Sequence, residues 1–136
     1  RTDPSGRYAC LYKRWHLIGL EAGISVASVG LRREPTGCAT AFRADAVATA
    51  KRDLKTGEVL DGEGGYTVCG KLMPAADSLA MGALPLGLAQ NAKMARPVCA
   101  GRPVRWSDVA IDATSEAVKF RREMESQWAP ASPPVA

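Results

Sequence analysis

The sequence predicts an α+β fold of small strands flanked by an apolar helix near the start and a charge-laced helix near the end. Three observations carry that expectation. Residues 45–50, Asp-Ala-Val-Ala-Thr-Ala, are the small and β-branched types that suit a pleated strand. Leu17, Leu20, Ile24 and Leu31 fall at helical spacing along one side of a 17–31 segment. Two corners turn on Gly57 and Gly101, each with an aliphatic residue before the glycine, a charged residue after it and an aliphatic return. They lie forty-odd positions apart and predict an internal pseudo-repeat folding as one small β domain.

Taken in order, Pro4-Ser5-Gly6 marks a turn and residues 7–12 have the composition of a short strand. The 17–31 segment is expected as a buried helix. Gly19, Gly23 and Gly30 each cost it roughly 1 kcal/mol relative to alanine, which makes sense if another backbone or a ligand comes close. Arg32 and Arg33 sit where cations favour a helix C-terminus, and Glu34-Pro35-Thr36-Gly37 ends it. Residues 38–43 read as a linker into the 45–50 strand. Residues 61–66 hold too many glycines for regular structure, and 67–73 fits strand or helix equally.

Residues 74–81 predict a short helix with Pro74 in its first turn, ending near Gly82. Residues 84–88 read as an extended apolar strand with a bend. Strands are expected over 93–98 and 103–106, with a turn or one helical turn at 107–109. Asp112, Thr114 and Ser115 are capping candidates for a peripheral helix over 116–127, whose acids and bases alternate at helical offsets. The proline-rich end, 129–136, predicts a disordered tail.

At 136 residues the chain is long enough for one ordinary domain. Its 46 % hydrophobic content is rich in alanine and poor in rings, so the core should be close-packed from small side chains. The net charge of +4 suits a small anionic partner. Basic residues are scattered among acids without aromatic interleaving, which argues against nucleic acid. Cys10, Cys38, Cys69 and Cys99 show no metal-ligand spacing and read as reduced thiols, in keeping with a cytoplasmic setting, although spacing alone leaves a disulfide open. The most apolar run is too short and too interrupted to span a bilayer, so no membrane association is expected. The polar opening from Arg1, without an initiator Met, points to a segment of a longer polypeptide.

The run from Val47 to Val109, with AVATAKRDLKTGEVLDGEGG and ARPVCAGRPVRWSDVAID, resembles the SAF domain, a β-clip module related to type III antifreeze proteins. With HLIGLEAGISVASVGLRREPTG, FRADAVATAKRDL and GKLMPAADSLAMGALPLGLA, nearly the whole chain is similar to the C-terminal part of an SAF-containing oxidoreductase family. That family is labelled homoserine-dehydrogenase-like and includes deoxyxylulose phosphate reductoisomerase-like enzymes. The resemblance implies the end of a central catalytic α/β domain and a linker at 1–43, an SAF domain at 44–112, a C-terminal helix at 113–128 and a tail at 129–136. It implies NADP or NAD held by an N-terminal Rossmann domain, and admits an assisting divalent metal and a homo-oligomer. No G-x-G-x-x-G fingerprint occurs here, so cofactor binding is expected outside this chain.

The densest chemical cluster is Tyr12-Lys13-Arg14-Trp15-His16. Lys13 and Arg14 beside the only histidine, at a helix start, suit a phosphate or carboxylate. His16 reads as a substrate contact, as a proton-transfer group, or as a helix anchor. Lys51, with Arg52, leaves the 45–50 strand beside the Gly57 corner and reads either as a second anion contact or as a solvated turn. Glu21, set in an apolar helix, calls for a partner, with a buried arginine from outside the chain as the bland explanation. Lys71 faces solvent or a domain seam, and Trp15, Trp106 and Trp128 read as packing residues. The function that the resemblance implies is that of a C-terminal fragment of an oxidoreductase reducing a small anionic carbonyl compound such as a sugar phosphate; the alternative is a non-catalytic β-clip module that binds carbohydrate or serves as an interaction domain.

Overall fold

The computed structural model describes residues 2–128, and the tail expected at 129–136 lies outside them. The chain divides into two compact units, Arg1–Thr40 and Ala41–Ala136. Among the described residues the secondary structure is mixed helix and antiparallel sheet, as an α+β sequence requires.

In the first unit a turn closes on Asp3, whose carboxylate accepts the Tyr8 N–H at 2.8 Å and the Ser5 N–H at 3.0 Å. The strand expected at 7–12 does not form. A single bridge, Thr2 to Ala9, is all the pairing this segment makes, because no second strand of the unit lies alongside it. Helix α1, Ile18–Ala27, runs on into a π-helical turn over Ser28–Arg32 and stops at Arg33, which adopts left-handed φ of 57°. The expectation of a buried helix fails here. No residue of α1 is buried, and Leu20, Ile24 and Leu31 are 70 %, 68 % and 85 % exposed. The small residues that promised a close approach look onto open space, since nothing lies within 4 Å of where a Cβ on Gly19, Gly23 or Gly30 would stand.

In the second unit, strand β1 (Ala44–Ala50) pairs antiparallel with β2 (Val68–Pro74), Ala44 opposite Pro74 and Ala50 opposite Val68. The 67–73 ambiguity thus resolves to strand. Pro74 then caps α2 (Ala75–Met81), and Gly82 closes it at φ 65°, a left-handed conformation that a glycine adopts without strain. Residues 84–88 do not extend as expected: Pro85 makes one bridge to Val47 and the chain turns into a 3-10 coil over Leu86–Leu88. The strands expected at 93–98 and 103–106 shrink to β3 (Lys93–Met94), paired with β4 (Val109–Ala110), and isolated bridges at Val98, Pro103 and Arg105. Pro97 and Pro103 lack the N–H that a continuous ladder needs. Helix α3 spans Glu116–Trp128.

The core gathers Ala48, Leu54, Leu60, Leu84, Met94 and Val104, each at 2 % exposure or less. No ring is among the buried hydrophobic residues described, in line with the alanine-rich composition.

At its centre the predicted pseudo-repeat is real, and its period is 44 residues: Ala50 matches Met94, Leu54 matches Val98, and Gly57 matches Gly101. Leu54 and Val98 exchange both backbone hydrogen bonds, at 2.8 and 3.1 Å, so this pair sits on the pseudo-twofold. On one side Gly57 N–H donates to Met94 C=O at 2.7 Å; on the other Gly101 N–H donates to Ala50 C=O at 2.8 Å. Met94 N–H to Glu58 C=O is likewise matched by Ala50 N–H to Arg102 C=O, and Leu60 N–H to Ala92 C=O by Val104 N–H to Ala48 C=O. Both glycines hold positive φ, 86° and 78°, where a side chain would be strained.

Candidate functional site

The residues singled out in the sequence fall in both units. In the first, Lys13 and His16 converge on one carboxylate, that of Glu21 in the first turn of α1. The Lys13 ammonium donates to Glu21 Oε1, the Leu17 N–H donates to the same oxygen at 3.3 Å, and His16 Nδ1 stands 3.6 Å from Oε2. The arginine from outside the chain is therefore not needed as Glu21's partner. Chiefly the Lys13 hydrogen bond, then the Leu17 N–H, draws the Glu21 carboxyl below the ordinary glutamate value. Glu21 occupies the very place at the helix start that an incoming anion was expected to take. Arg14 lies instead against its neighbour Trp15, 5.1 Å from the ring centre.

What this arrangement offers chemically is an imidazole held near a carboxylate. At 3.6 Å the two are within ion-pair reach but beyond hydrogen-bond distance, so the carboxylate attracts the ring without fixing its orientation. His16 and Lys13 are open to solvent, with 71 % and 52 % of their side chains exposed.

Lys51 belongs to the second unit. Its backbone N–H donates to Thr67 C=O at 2.9 Å and its ammonium donates to Gly65 C=O. Arg52 ion-pairs with Glu58, whose Oε2 also accepts the Lys55 N–H at 3.0 Å. Both cations of this turn are thus engaged within the fold. Lys71, on β2, is exposed.

The glycine-rich loop after Leu60 folds around an anion of its own. The Asp61 carboxylate accepts the Tyr66 N–H at 2.5 Å, the Thr67 N–H at 3.0 Å and the Thr67 hydroxyl. Those donors, the Thr67 hydroxyl first, draw Asp61 down to about 2. A Cβ on Gly65 would stand 2.1 Å from the Asp61 carboxyl carbon, so only glycine fits there. A loop already closed on a carboxylate is not a cradle for a pyrophosphate. Among the described residues no group of three or more His, Cys, Asp or Glu is placed to hold a metal ion.

One cluster was not read from the sequence. Asp45, the second residue of β1, is buried and takes both ends of the Arg121 guanidinium, Nη1 to Oδ1 at 3.2 Å and Nη2 to Oδ2 at 2.5 Å, while the Ser78 hydroxyl donates to Oδ2. Arg121 Nε also donates to Glu125 at 2.8 Å, and Glu125 takes Arg122 at 2.8 Å. Burial works against the Arg121 charge, but the two carboxylates outweigh it and hold the guanidinium above its ordinary value. The Arg122 guanidinium lies 3.7 Å from the Trp106 ring centre and that of Arg121 5.1 Å from that of Phe42. The peripheral helix is therefore tied into the sheet through a fork-to-fork ion pair. The available signal was the phase of β1: Asp45, Val47 and Thr49 share one face, and the apolar neighbour marked that face as inward.

Compared with protein-family models and with curated proteins, the chain matches none. Among the described residues no helix is long and apolar enough to cross a membrane.

Proposed function

We propose that this chain is the C-terminal part of an NAD(P)H-dependent oxidoreductase that acts on a small anionic carbonyl compound, a sugar phosphate being the chemistry that fits Lys13, Arg14 and His16. The observation that carries the reading is the Lys13–Glu21–His16 cluster at the start of α1: an imidazole 3.6 Å from a carboxylate and flanked by cations, in a unit whose apolar helix is uncovered. In the second unit, the antiparallel β1–β2 pair and the two symmetry-related glycine corners support an SAF-type β-clip over 44–112. Within this reading His16 contacts the substrate, Arg14, which has no ion-pair partner among the described residues, draws in its anionic group while Lys13 stays on Glu21, and the nicotinamide is supplied from a domain outside the chain.

A second reading, a β-clip binding module without catalysis, is favoured by one observation. The second unit has a core and an ion-pair network of its own, whereas His16 is exposed. Thermal-shift titration of the chain with sugar phosphates and with NADPH separates the two, because a ligand that binds only the folded form raises the midpoint. The oxidoreductase reading expects a rise with a sugar phosphate that is lost in His16→Ala and Arg14→Ala, and none with NADPH. A rise that survives both substitutions in a chain that also carries Arg102→Glu overturns it.

A further inference from the structure

The pseudo-twofold relates the two corners residue by residue, which shows what each corner has that the other lacks. In the first, Arg52 is neutralised by Glu58, and the same carboxylate takes the Lys55 N–H at 3.0 Å. Forty-four residues on, the matching positions are Arg96 for Arg52, Arg102 for Glu58, Cys99 for Lys55 and Arg105 for Asp61. Of the first corner's three acids, Glu58 and Asp61 have become arginines and Asp53 a proline, Pro97, while the backbone is unchanged: Arg102 N–H donates to Cys99 C=O at 3.2 Å as Glu58 N–H does to Lys55 C=O at 3.2 Å. Among the described residues neither Arg96, Arg102 nor Arg105 has a carboxylate within ion-pair reach, and the Cys99 N–H has no acceptor.

Arg102 and Arg105 line a common cleft of about 210 Å³ with Cys99, Pro97, Pro103 and Asp108. The one acid lining the cleft, Asp108, faces the backbone, its Oδ2 accepting the Arg105 N–H at 2.9 Å, and the Asp53 carboxylate, reaching across from the first corner, is taken up by the Ala100 N–H at 2.8 Å, which leaves the Cys99 N–H as the open donor of this turn. We propose that this second corner is a binding site for a small oxyanion, a phosphate group or a carboxylate, which takes the place that the Glu58 carboxylate fills in the first. The anion accepts from the Arg102 and Arg105 guanidiniums and from the Cys99 N–H. The prolines on either side of Gly101 fix the cleft walls, so little ordering is needed on binding. Both arginines are exposed, so the binding of inorganic phosphate is weak and falls as salt is added.

The site is independent of the His16 cluster, and its test is chosen accordingly. Inorganic phosphate and, separately, acetate are titrated into the labelled full chain at constant ionic strength, and backbone amide resonances are followed. A saturable downfield shift of the Cys99 amide is expected with phosphate, with chloride giving none. Arg102→Glu, which installs the first corner's ion pair in the second, is expected to abolish it while the core resonances stay in place. Arg102→Ala is expected to weaken it about tenfold, and His16→Ala to leave it unchanged. Saturation by acetate as well supports a general oxyanion site, and saturation by phosphate alone supports it while narrowing the source to phosphorylated ligands. Absence of a saturable Cys99 shift with either anion, or an equal shift in Arg102→Glu, overturns the proposal. A failure of the sugar-phosphate titration at His16 leaves this result untouched.

Discussion

The two units of this chain spend their apolar residues in opposite ways. In Ala41–Ala136, Leu54, Leu60, Leu84 and Val104 are buried to 2 % exposure or less by strands and corners that return on one another. In Arg1–Thr40, residues just as apolar ride on α1 without a buried position among them. Composition is therefore not what separates them. Backbone pairing is: most segments around the core, from β1 and β2 to the corners at Leu54 and Val98, have a partner strand or bridge for their N–H and C=O groups, and those pairings hold apolar faces together. A helix of ten residues pairs its backbone only within itself, which holds no apolar face against another, and without packing a helix this short is marginal.

The sharpest way to break the closed unit is through its buried charge. Arg121→Ala leaves the Asp45 carboxylate buried with only the Ser78 hydroxyl, and is expected to cost about 3–4 kcal/mol in denaturant unfolding. Leu54→Ala, at the pseudo-twofold itself, should cost about 3 kcal/mol by the same measurement, since its cavity is walled by paired backbone that cannot collapse. A loss below about 1 kcal/mol in either would mean that the core is looser than the pairing implies.

A smaller effect comes from acid. Asp61 titrates near 3.8 when unfolded and about 2 when folded, so the folded state holds its proton less tightly. Its contribution is complete above the unfolded value and is lost as pH falls through the folded one. The melting temperature of the chain should therefore drop more steeply between pH 4 and pH 2 than that of Asp61→Asn; parallel curves would show that the loop does not depend on the ionised carboxylate.

Smallest of all should be a change on the open helix. Ile24→Ser, on a residue 68 % exposed, is expected to move the unfolding midpoint of the second unit by less than about 0.5 kcal/mol. A shift comparable to that of Leu54→Ala would show that α1 carries weight in the core.

Much of this architecture is written locally, and that part was legible. The β1 strand, the α2 helix between Pro74 and Gly82, the α3 helix and the two glycine corners each follow from residue types within a few positions. What escaped depends on contacts across long separations. Asp45 and Arg121 lie far apart in sequence, so nothing near either residue names the other. The extent of strands at 93–98 and 103–106 was overstated because the prolines that interrupt the ladder also suit its edges. For the candidate site, the types Lys13, Arg14 and His16 were visible, but that Glu21 gathers Lys13 and His16 was not, since it depends on where the chain enters the helix. The unneutralised second corner was hidden for a different reason: the excess charge of Arg102 and Arg105 is plain only once the pseudo-twofold sets Glu58 and Asp61 beside them.

The contrast between a closed unit and an open helix is tested most directly by native-state hydrogen exchange of the intact chain. The amides of Ala48, Ala50, Leu54, Val98 and Val104, each donating to a backbone carbonyl of the core or to its partner across the pseudo-twofold, should exchange slowest and together, as one cooperative unit. Those of α1 should exchange orders of magnitude faster. Protection across Ile18–Ala27 equal to that of Leu54 would contradict this division, and would mean that the helix is covered in solution.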